Sequence, residues 1–184
     1  MNDQLADARS TDSESAADSA GDESTDVGSN ADEHVGELLQ RGRGGANWFF
    51  WIAGLSLINT AVMHSGGDTH FVVGLGATLI VDVVAREVAA QQPDIKLVLT
   101  VVAIGFSVFC SLIAVLFGWL SRKRILILFG LGMFVYLLDG LLFLLIQDWL
   151  SLGFHGYALF CMWGGLAAYR ELNQYQSPLA IAEG

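Results

Sequence analysis

The sequence predicts an all-α fold: a polytopic transmembrane bundle of five apolar helices, four or five of them crossing, behind a disordered acidic N-terminal tail. Three observations predict it. The chain is 53% apolar, yet its formal net charge is −10. Residues 1–40 hold eleven acids and one base, which accounts for that whole charge, while the remainder carries eight of each sign. The third and fourth apolar segments each exceed twenty nearly charge-free residues and are apolar on every side, more than the core of so small a soluble protein can enclose. In hydrocarbon each backbone group must be satisfied within its own segment, so the spans are helices.

Residues 1–46 are expected to be a disordered tail and linker, 47–172 the transmembrane helical domain, and 173–184 a short C-terminal tail. Before Trp48 the tail has no aromatic residue. It is rich in Ser, Asp, Ala and Gly, and such a composition buries too little apolar area to offset the entropy of ordering. Its acidity repels nucleic acid and anionic headgroups, so no nucleic-acid partner is expected; solubilising the N-terminus accounts for it without any specific partner. The first residues lack a basic stretch followed by an apolar one, so the first helix is expected to act as an uncleaved targeting signal.

The first helix is expected over residues 48–64, about 25 Å long and short for a hydrocarbon core of about 30 Å. The second, FVVGLGATLIVDVVAREV (71–88), has an uninterrupted apolar run of only eleven residues before Asp82, Arg86 and Glu87. Such a run suits a re-entrant or interfacial segment, and Gly74 and Gly76 suit a bend. The third (Ile95–Leu120) and fourth (Ile125–Gln147) are clean spans, and the fifth (Ser151–Tyr169) completes a set of three well-formed spans. On the third helix Thr100, Ala103, Ser107, Ser111, Ala114 and Gly118 form one stripe of small residues, which allows close backbone approach. That stripe makes the third helix the expected centre of the bundle and its small-residue face the candidate contact for a protein partner or a second copy.

The distribution of Lys and Arg tests the topology. Five crossings divide the bases evenly, four on each side. If one of the first two helices fails to cross, Arg41, Arg43, Arg122, Lys123, Arg124 and Arg170 share a side and only Arg86 and Lys96 oppose them. That count favours four crossings with the second helix re-entrant and the N-terminus cytoplasmic.

Chemistry-bearing residues are few. Asp82 and Arg86 lie four apart, one turn beyond Thr78. A charge at membrane depth costs at least about 2.5 kcal/mol, so it faces protein or water by default, and an i, i+4 ion pair between the two is the plain structural alternative. Asp139, within YLLDGLLFLL, has no base one turn away and is expected to be protonated, hydrogen-bonded across the bundle or paired with a distant group such as Arg86. Asn59 is its nearest neutral partner or simple packing glue. His64, His70 and His155, with Asp68 and Asp148, have the residue types of a divalent-metal site, but no recognised spacing joins them; histidines at an interface more often cap helices. With four crossings this set would share one outer face. The two GLG sequences lack the third glycine of a dinucleotide loop. Cys110 and Cys161 sit in apolar runs as packing residues. Trp48, Trp51, Trp119 and Trp149 lie near helix ends, where an aromatic belt explains them. No catalytic residue and no cofactor are expected.

At NWFFWIAGLSLIN, HFVVGLGATLIVD and YLLDGLLFLLIQDWLSLGFHGYALF, over residues 48 to about 172, the chain resembles a family of small bacterial multi-pass membrane proteins of unassigned activity. The resemblance implies the lipid bilayer of a bacterial inner membrane as surroundings and carries over no catalytic residue. Leu79 stands where such relatives are expected to have Gln. The expected function is a structural, assembly or accessory-subunit role; the alternatives are a proton, ion or small-solute pathway using Asp82, Arg86 and Asp139, and a metal-dependent membrane enzyme.

Overall fold

The computed structural model describes the backbone of residues 4–65 and 74–182, and side chains over 30–65 and 74–176. It contains five α-helices: α1 (Gln4–His64), α2 (Gly76–Gln91), α3 (Lys96–Arg122), α4 (Leu126–Leu145) and α5 (Trp149–Ala182), with a short 3-10 turn at Pro93–Ile95. No strand occurs among the described residues. Met1–Leu38 forms one compact unit and Leu39–Gly184 another.

Helix α1 begins upstream of the boundary expected at residue 46. No proline precedes Pro93 to break a helix upstream of Trp48. Helix α1 accordingly includes the segment expected to be disordered, and residues 42–46 pack within the bundle rather than linking to it. Gly45 meets Gly165 of α5 so closely that a Cβ added to either would stand 2.7 Å from the other's Cα, and Gly42 receives the ring of Tyr169. Helix α1 therefore extends upstream of the 48–64 expected for the first helix.

Three stretches are long and apolar enough to cross a membrane by length and composition: Asn30–His64, Pro93–Arg122 and Leu126–Leu145. The first helix thus takes the place expected for the fifth. Helix α5 is interrupted by Ser, Gly, His and Tyr residues that lower its mean hydropathy, although Leu150, Tyr157, Phe160 and Trp163 are exposed on it. Large apolar side chains cover the outside of the other helices too: Leu97, Val101, Phe109, Leu112 and Leu116 on α3, and Ile127 and Leu145 on α4, the last two 83% and 79% exposed. An exterior of this kind is compatible with lipid.

Side-chain pairs fix the direction of each helix. Ser56 meets Thr78 and Thr60 meets Asp82, and because the partners advance in the same order, α1 and α2 run parallel. Gly74 lies against the backbone of Ser56, eight residues before the end of α1 at His64, or about 12 Å back along its axis. Helix α2 therefore begins level with Ser56 of α1 and runs toward the C-terminal end of that helix. Helix α3 returns antiparallel to α1, as Thr60 meets Ser107, Phe49 and Phe50 meet Gly118, and Asn47 meets Arg122. Helices α4 and α5 form a hairpin in which Asp139 faces His155 and Phe129 faces Tyr169.

Both tight turns between spans are Schellman-type helix ends built without glycine. At the first, Arg124 N–H donates to Ser121 O and Ile125 N–H to Leu120 O; at the second, Gln147 N–H donates to Leu144 O and Asp148 N–H to Phe143 O. Arg124 and Gln147 accordingly hold φ of 61° and 57°.

The centre of the bundle is α1, not α3. Phe49 packs on Phe117 and Phe129, Trp48 on Phe154 and Tyr157, and the polar pairs above tie α1 to α2 and α3. The small-residue stripe of α3 is buried as expected (Ala103, Ser107, Ser111, Ala114 and Gly118, with Ser121), but it is used inside the chain. The opposite side of α3 exposes Leu97, Val101, Phe109, Leu112 and Leu116.

Candidate functional site: the buried polar ladder along α2

The first amides of any helix lack intrahelical partners, and α2 begins where water is scarce. Its start is capped from another helix. Gly76 N–H donates to Asp139 Oδ2 at 2.7 Å and Ala77 N–H to Asp139 Oδ1 at 2.8 Å. The carboxylate thus satisfies two backbone donors and complements the positive end of the helix dipole. Glycine at 76 permits the approach, since a Cβ there would stand 2.7 Å from the Phe143 ring and 3.0 Å from Asp139 O.

Asp139 has a third partner that the sequence reasoning missed. Nε2 of His155 lies 3.3 Å from Asp139 Oδ2, and the imidazole stacks on Tyr136 with ring centroids 4.4 Å apart and planes 18° from parallel. His155 is not on an outer turn as expected but inside α5, 1% exposed. Gly140 leaves room for it, as a Cβ at that position would come 3.1 Å from His155 Cβ. The signal was available in the hairpin: Asp139 and His155 are each eight residues from Gln147, hence level across the turn.

Proton positions in this pair follow from the acceptors. His155 Nδ1 lies 2.9 Å from the carbonyl of Ser151, which can only accept, so Nδ1 carries a proton. The contact between Nε2 and Oδ2 then holds one further proton, on either atom. In both arrangements the pair is neutral overall, which is how a carboxylate and an imidazole coexist at this depth.

Further out along α2 a second group repeats the pattern with hydroxyls. Ser56 Oγ and Thr78 Oγ1 are 2.8 Å apart; because Thr78 donates to Leu75 O at 2.8 Å, Ser56 is the donor between them. One turn on, Thr60 Oγ1 lies 2.7 Å from Asp82 Oδ2 and 2.9 Å from Ser107 Oγ. Thr60 has a single hydroxyl proton, so this three-oxygen chain is polarised either toward Asp82 or toward Ser107. Asp82 is fully buried, and its Oδ1 meets no partner, as is also true of Ser111 Oγ and Tyr136 OH.

The remaining sequence candidates are dispersed. The expected Asp82–Arg86 pair is not what satisfies Asp82, since Thr60 does so and Arg86 is exposed. Arg86 lines a cavity of about 710 Å³ with His64 and Lys96 at the outer end of α2 and α3. Asn59 is buried beside Thr60 on α1 but is not among the three partners of Asp139. His64 Nδ1 turns back to Thr60 O. Asp148 caps α5, accepting from Ser151 N–H at 3.1 Å and Ser151 Oγ–H at 2.5 Å. Asp68 and His70 lie outside the described residues. Among those described, no three His, Cys, Asp or Glu side chains gather in a way that would hold a metal. Leu79, at the position where Gln was expected in relatives, packs with Met63 and Phe143 in an apolar cluster.

What the arrangement does chemically is hold a half-length helix inside a bundle, with each charge neutralised or hydrogen-bonded at one point. Comparisons of the chain with family models, curated proteins and solved structures give no match.

Proposed function

We propose that the protein is a multi-pass component of a bacterial inner membrane with a structural, assembly or accessory-subunit role, acting through its packed helices rather than through turnover. In this reading α1, α3, α4 and α5 cross and α2 is re-entrant. Arg41, Arg43, Arg122, Lys123, Arg124 and Arg170 then share the cytoplasmic face with the N-terminus, opposite Arg86 and Lys96. The observation that carries the functional reading is the use of Asp139: both of its oxygens take the first amides of α2, so the most conspicuous intramembrane acid serves the architecture. Purification in mild detergent with identification of co-purifying proteins tests it. A companion at fixed stoichiometry supports the accessory role; a protein that purifies alone and catalyses flux in liposomes refutes it.

The second reading, a proton or ion pathway through Asp82, Arg86 and Asp139, is favoured by the unmet oxygen of Asp82. Flux into liposomes that is lost in Asp82→Asn and Asp139→Asn would select it over the first.

A further inference from the structure

We infer that Asp82, Thr60 and Ser107 form a binding site for one monovalent metal cation of sodium type, held between α1, α2 and α3. The inference stands apart from the accessory reading, because a resident ion would hold the bundle together whatever the protein's task. Its basis is the environment of Asp82, whose carboxyl is 0% exposed with one oxygen bonded to Thr60 and the other bare. Burying an ionised carboxyl on a single hydroxyl contact leaves both a charge and a lone pair uncompensated.

Three occupants could relieve this, and they differ in what they satisfy. A proton on Oδ2 would remove the charge and donate to Thr60 but leave Oδ1 bare. A water on Oδ1 would supply a donor but leave the charge. A monovalent cation meets both needs, and the neighbouring atoms are the hard oxygens such an ion takes: two carboxylate oxygens, Thr60 Oγ1 and Ser107 Oγ, the hydroxyls being 2.9 Å apart. Charge sets the valence, since one carboxylate balances one positive charge, whereas divalent sites gather several acids. An open cavity begins one turn further along α2, at Ala85. Asp82, Ala85 and Ala89 are buried along one face of α2, and the two alanines line the outer cavity of about 710 Å³. His64, Arg86 and Lys96 stand around that same cavity.

The test is thermal unfolding of the full chain in detergent at constant ionic strength, with sodium chloride replaced stepwise by choline chloride. Sodium well above its dissociation constant is expected to raise the Tm by about 5 °C or more in a saturable way. Asp82→Asn should abolish the sodium dependence, and Ser107→Ala, which keeps the carboxyl, should move the half-saturating sodium concentration at least about threefold higher. Equilibrium binding of radioactive sodium to the purified protein provides a second readout, with one ion per chain expected and none in Asp82→Asn. A Tm independent of sodium, an equal rise in Asp82→Asn, or stabilisation by acid in place of sodium overturns the proposal.

Discussion

Asp139 on α4 accepts the backbone amide of Gly76 at 2.7 Å, across sixty-three residues of sequence. The contact makes a carboxylate the N-terminal cap of a helix to which it does not belong. It explains how α2 can start inside the bundle: a helix end shut away from water needs its amides satisfied, and here they are satisfied from the side. The same contact joins α2 to the α4–α5 hairpin, since Asp139 also meets His155.

Replacing Asp139 with Ala is therefore expected to destabilise the fold by about 2–4 kcal/mol, since it leaves two amides and an imidazole without their acceptor. Reversible unfolding in mixed detergent and SDS micelles measures this. A loss below about 0.5 kcal/mol, the range of an inert surface site, would show that the cap contributes nothing.

Asp139 and His155 are expected to be energetically coupled. In a double-mutant cycle with Asp139→Asn and His155→Phe, the latter keeping a ring against Tyr136, the interaction energy should be about 1 kcal/mol or more. Strict additivity would mean that the shared proton has no energetic role.

The Gly45–Gly165 crossing yields a test with its own control. Gly165→Ala places a methyl 2.7 Å from the Gly45 backbone, whereas a Cβ at Gly164 meets nothing within 4 Å. Gly165→Ala is expected to cost about 1–3 kcal/mol, and Gly164→Ala to be neutral or stabilising by up to about 1 kcal/mol. Equal effects in the two variants would place α5 in the wrong rotation against α1.

Gln147 holds a left-handed backbone at the end of α4, with φ of 57°. Gly at this position removes the steric cost, so Gln147→Gly is expected to stabilise the protein by about 0.5–1 kcal/mol. Destabilisation would indicate that the turn adopts another conformation.

Much of the architecture was legible in the sequence, and for stated reasons. Helices α3 and α4 announce themselves by length and uniform apolarity, and the α3 stripe follows from helical spacing. The bend at Gly74–Gly76 was marked by its glycines. Other features depend on what lies across the bundle. The length of α1 was hidden because RGRGG reads as a linker, whereas in the fold Gly42 and Gly45 are where α5 presses closest. Helix α3 looked central because its stripe is continuous, but centrality depends on how many neighbours a helix has. His155 read as an interfacial residue from its place near Asp148. Only the equal distances of Asp139 and His155 from the turn could have paired them, and that reasoning requires knowing where the turn lies.

The central claim is that α2 enters and leaves on one side. It is tested most directly by labelling single cysteines in a protein lacking Cys110 and Cys161, with an impermeant maleimide applied to intact spheroplasts. Ser65→Cys, at the end of α1, and Gln92→Cys, just past α2, are expected to react from outside together, and Gln176→Cys only after the membrane is opened. Reaction of positions 65 and 92 from opposite sides would show that α2 crosses, and would contradict the account.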